Sequence, residues 1–157
     1  MVIAAAVSAL LLGGCMTSSP PPDAAVTNCL SQYHVTAPDP VASLSSLKTV
    51  IYAPACTAFK SIGSLSWAIG VVAQDDITIR IYFIGGVKED RCDLLRTVSV
   101  TESQSVVTVR LEGGSDPTLK SSACSAVGQM YVTGIKLRAP LSGRRLEGPP
   151  DAHVEHL

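Results

Sequence analysis

Residues 67–83 read Trp67-Ala68-Ile69-Gly70-Val71-Val72-Ala73-Gln74-Asp75-Asp76-Ile77-Thr78-Ile79-Arg80-Ile81-Tyr82-Phe83. Trp67, Ile69 and Val71 alternate before the polar triple Gln74-Asp75-Asp76. Ile77, Ile79, Ile81 and Phe83 alternate after it. A period of two is that of a strand with one buried face, and the polar triple is a turn. The stretch therefore predicts a β-hairpin. Thr78, Arg80 and Tyr82 fall on the face opposite the isoleucines, which makes them the candidate contact surface for a partner.

The same pattern continues downstream. After a polar loop over 85–93, Val98 and Val100 lead into Glu102-Ser103-Gln104-Ser105, and Val107, Val109 and Leu111 lead out. ITIRI at 77–81 and VTVRL at 107–111 share one pattern, which hints at a repeated hairpin, although two strands of similar composition often look alike by chance. Tyr131 to Leu137 alternates again and ends at Pro140, which cannot donate to a ladder. Leu146 is expected to open a short last strand, and 149–157 to be a flexible tail. No helical period longer than two turns follows residue 15. The expected class is all-β: six or seven antiparallel strands in a sandwich or a partly closed barrel over 29–148.

The chain has 157 residues, 46% hydrophobic, 4% aromatic and 16% charged, which fits one domain and is too apolar for disorder. Twelve Lys and Arg against thirteen Asp and Glu, with no basic run, argue against a nucleic-acid partner.

Residues 2–12, VIAAAVSALLL, are too short to span a bilayer and match the hydrophobic core of an export signal. Leu12-Gly13-Gly14-Cys15 resembles the lipobox of bacterial lipoproteins. That resemblance implies a signal peptide over 1–14 and a Cys15 thiol that takes a diacylglyceryl group. It also implies anchorage to the outer face of the cytoplasmic membrane. One departure is that no Lys or Arg precedes the apolar run. Pro20-Pro21-Pro22 among small polar residues makes 15–28 an expected extended tether.

Setting Cys15 aside leaves Cys29, Cys56, Cys92 and Cys124, an even set that reads as two disulfides in an exported domain. Three connectivities are open. The sequential one, Cys29 with Cys56 and Cys92 with Cys124, is favoured because each pair brackets one half of the domain. No C-x-x-C spacing and no neighbouring His supports a metal site, and no cofactor is expected.

The second half carries a further resemblance. Cys92, Leu95, Val98, Val100 and Glu102 are followed by Val107-Thr108-Val109 and Cys124, then by 135–148, IKLRAPLSGRRLEG. This is similar to a small β-domain of uncharacterised exported proteins and lipoproteins of actinobacteria, over about residues 90–148. That family's last segment usually reads Pro-Leu-Gly-Asp-Arg, an apolar residue, then Asp-Gly. Here Ser142, Gly143 and Glu147 depart from it. The resemblance implies an exported β-domain with a Cys92–Cys124 pair, and no activity.

Candidate chemistry is sparse. His34 lies in a Pro-containing loop, and His153 and His156 in the expected tail, so nothing assembles a Ser-His-Asp relay. Ser64 in Gly63-Ser64-Leu65-Ser66-Trp67 is not a nucleophile elbow. Glu89, Asp90 and Asp93 beside Lys88 and Arg91 read as a solvated loop before a Ca²⁺ site or a carboxylate pair. Trp67 reads as a core plug, and Arg144 and Arg145 as a solvated turn. The expected function is a non-enzymatic envelope module that binds an envelope protein or a cell-wall polymer. A structural assembly lipoprotein and an extracytoplasmic hydrolase are the alternatives.

Overall fold

The computed structural model describes residues 21–119 and 124–157. The expected export signal over 1–14 and the expected lipidation residue Cys15 lie outside them. One helix, α1 (Pro22–Ser31), precedes β1 (His34–Thr36), β2 (Val50–Tyr52), β3 (Lys60–Leu65), β4 (Trp67–Val72) and β5 (Thr78–Gly85). Then follow β6 (Leu94–Glu102), β7 (Val106–Ser115), β8 (Gln129–Lys136), β9 (Arg145–Glu147) and β10 (His153–His156). Six strands form one sheet in the order β1-β2-β8-β5-β4-β10. β3, β7 and β6 form the second, with β9 also paired to β7.

The two sheets pack face to face. Ile79, Ile81, Phe83, Tyr131 and Ile135 of the larger meet Leu94, Leu95, Val107, Val109 and Leu111 of the smaller in one buried cluster. The chain is thus an all-β sandwich stapled by Cys29–Cys56 and Cys92–Cys124. Ten strands replace the expected six or seven among the described residues. β1, β2 and β9, three residues each, are too short to display a period. The ladder is also not wholly antiparallel, since β2–β8, β4–β10 and β7–β9 pair parallel.

Both predicted hairpins form, β4–β5 in the larger sheet and β6–β7 in the smaller. Each carries a register shift, between Trp67 and Ile69 and between Leu95 and Thr97. One inserted residue swaps the faces of everything beyond it. Trp67 therefore joins the core between the sheets, while Val71 and Ile69 join a second cluster on the outer face. The uniform alternation expected for β4 is corrected accordingly.

That outer cluster contains Val50, Val71, Tyr82 and Val132 from the sheet, covered by Val41 and Leu44. Two further corrections follow. Residues 22–28, expected as extended tether, belong to α1. Pro22 sits in its first turn, where the missing N–H costs nothing, and Val26 and Leu30 bury one face. Residues 153–156, expected as flexible, form β10. Their backbone completes the β4 edge, and both Glu155 oxygens accept from the amides of Ala42 and Ser43 at 3.1 Å.

Candidate functional site

The smaller sheet has an interrupted edge. β3 pairs with β7 from Leu111 to Ser115, and β9 pairs with it from Val106 to Thr108. Val109 and Arg110 face neither strand. Trp67, 2% exposed, fills the break from below and donates its indole N–H to the Val109 carbonyl at 3.1 Å. The side chain thereby supplies a donor where the ladder has none. Gly148 packs on the same ring, and a Cβ there would overlap the indole.

Above this plug lies a cleft of about 680 Å³, within the range of small-ligand sites. Leu65, Leu111 and Pro149 give it apolar walls, and Ser66 and Thr108 line it with hydroxyls. Arg110 stands at the cleft, exposed and without an ion pair among the described residues. The one carboxylate of the lining, Glu147, is held by Arg145. The cleft therefore offers hydroxyls and a free cation over an apolar base. Nothing in the sequence announced it, because it arises where two strands distant in the chain fail to meet along a third.

The expected contact face is divided by the fold. Tyr82 is fully buried beneath the segment that contains Asp39, so it cannot meet a partner. Its hydroxyl donates to Asp39 Oδ2 at 2.7 Å and accepts from the Asp39 amide at 2.9 Å. Burial, then the Asp39 carboxylate, pushes the Tyr82 hydroxyl up to about 12. Arg80 reaches Asp39 Oδ1 at 2.5 Å while half of its side chain stays exposed. Thr78 turns its hydroxyl to Asp75. Of the three, Arg80 alone offers a charged group outward. Pro38 and Pro40 on either side of Asp39 were the signal for this anchor, and they read only as loop.

The other candidates separate. His34 Nδ1 lies 3.1 Å from the Gln32 carbonyl, and the ring lies over Tyr52 at 5.0 Å. His153 and His156 fall on β10, where positions three apart face opposite sides. Lys88–Asp90 forms a single 3₁₀ turn, and no cluster of His, Cys, Asp and Glu able to hold a metal occurs among the described residues. Arg91 bridges the buried Asp116 at 2.9 Å and Asp23 at 3.4 Å, which ties this loop to α1. Arg144, expected as solvated, is mostly buried and grips Glu102 at 2.9 Å. Ser142, Asp76 and His156 line one hollow, yet the Ser142 hydroxyl is bonded to Asp76 rather than to the imidazole. The hydroxyl proton is thus directed to a carboxylate, and the imidazole takes no part in that contact.

Comparison with protein-family models, curated proteins and solved structures finds no match to this chain.

Proposed function

We propose that this chain is a lipid-anchored protein of the bacterial cell envelope that binds a cell-wall polymer without transforming it. The Leu12–Cys15 pattern supports the anchor, and two disulfides are compatible with an oxidising compartment outside the cytoplasm. The observation that carries the binding role is the cleft over Trp67. Its free guanidinium, Arg110, and its hydroxyls suit a polymer rich in hydroxyl and acidic groups. The likeness of 90–148 to exported actinobacterial β-domains agrees with that address.

Two experiments test this. The intact mass of the membrane-extracted protein should correspond to a chain beginning at Cys15, carrying lipid and gaining four hydrogens on reduction. An unprocessed chain with free thiols overturns the envelope reading. For the binding role, the extracted full chain should sediment with purified cell-wall sacculi, and Arg110→Glu should abolish this. Failure of the wild type to sediment overturns polymer binding, and an unaffected Arg110→Glu variant removes the cleft from it.

A further inference from the structure

A second hollow, independent of the first, lies on the outer face of the larger sheet. It measures about 220 Å³, room for about seven waters, and is lined by His34, Thr36, Tyr52, Arg80, Val132 and Gly134. No acidic residue is among them. The ladder explains the convergence: His34 pairs with Tyr52, Tyr52 with Val132, and Gly134 with Arg80 across four adjacent strands.

Gly134 is the telling residue. It sits inside β8, where glycine weakens a strand, and its φ is not positive. A Cβ there would meet nothing within 4 Å. Neither backbone conformation nor packing demands glycine at this position. Its effect is to leave the hollow open.

The polar groups around that opening are held in place. Arg80 is fixed by Asp39, whose side chain is 3% exposed, so the carboxylate lies beneath and the remaining guanidinium N–H groups stay available. His34 is fixed by the Gln32 carbonyl, which can only accept, so Nδ1 carries a proton and Nε2 remains free. The His34–Tyr52 stack forms a ring-shaped wall.

We propose that this hollow is a binding site for a small anionic group, phosphate or carboxylate, borne on a planar ring that lies against His34 and Tyr52. Arg80 receives the anion through its fork of N–H groups. Gly134 admits it to the sheet surface.

The test uses the purified full chain, titrated with phenyl phosphate and with benzoate and followed by amide and side-chain NMR shifts. Saturable shifts at His34, Tyr52, Arg80 and Gly134 are expected with at least one probe, and the tighter of the two names the anion. Gly134→Val fills the hollow with a strand-forming side chain. It should weaken binding at least about tenfold while melting no lower than wild type. This variant decides the matter, because Arg80→Gln would also strand the buried Asp39 charge. Non-saturating shifts spread over the surface, or undiminished binding by Gly134→Val, overturn the proposal.

Discussion

At Gly148 the main chain lies directly on the Trp67 indole, and the indole in turn closes the broken edge of β7. A methyl group there must push the ring off the Val109 carbonyl. Gly148→Ala is expected to lower stability by about 1–3 kcal/mol through overpacking, read as a reduced urea midpoint at unchanged slope. An unchanged midpoint would mean that the ring relaxes freely. Tyr82→Phe removes both hydroxyl bonds to Asp39 and leaves the Asp39 amide without its acceptor. It should cost about 1–3 kcal/mol in the same measurement. Neither residue's role is visible in sequence alone. Gly148 reads as the end of a strand and Tyr82 as a surface position, because each is defined by a partner tens of residues away. Trp67 was legible as a core plug, since a lone tryptophan at the start of an alternating strand has few other uses.

At the scale of elements, the hairpins could be read from their period over 67–83 and 98–111, and the strands run on to Gly85 and Ser115 and start at Leu94. The short strands could not, being recruited by neighbours and not by their own pattern. α1 was hidden by the three prolines at 20–22, of which Pro22 alone belongs to it, and what docks it is Val26, Leu30 and the Cys29–Cys56 bond. That bond closes a separation of 27 residues. Replacing both cysteines by alanine should cost about 2–4 kcal/mol and loosen α1 first, seen as faster amide exchange over 24–31 than in the strands. Uniform acceleration throughout would show instead that α1 unfolds only with the whole domain. The candidate sites were the least legible part. The cleft combines residues from three separate segments and the hollow from four, so no window of sequence contains either.

For the molecule as a whole, carboxylates act as ties between distant segments. The Arg138 amide and then the Arg144 guanidinium hold Glu102 below the usual carboxylate range. The Ser61 and Thr97 hydroxyls, then Arg96, do the same for Glu112. Ser43 and the Ala42 amide lower Glu155. Burial pushes Asp116 upward, but Thr118 and Arg91 outweigh it and its shift is also downward. A depressed folded pKa adds stability above the unfolded value and loses it as pH falls through the folded one. Urea midpoints should therefore be level from about pH 7 to 5 and drop below about pH 4. A midpoint at pH 3 equal to that at pH 7 would show that these ties add nothing.

β9 and β10 also set a schedule. Within a dozen positions they join different sheets, β9 beside β7 and β10 beside β4. Until residues 145–156 have arrived, both sheets carry an open edge and the segment over the outer cluster lacks its Glu155 clamp. A chain synthesised from its N-terminus delivers those residues late. The sandwich is thus unable to close until they have emerged, and a nascent chain stalled before β9 would present two bare edges to its neighbours.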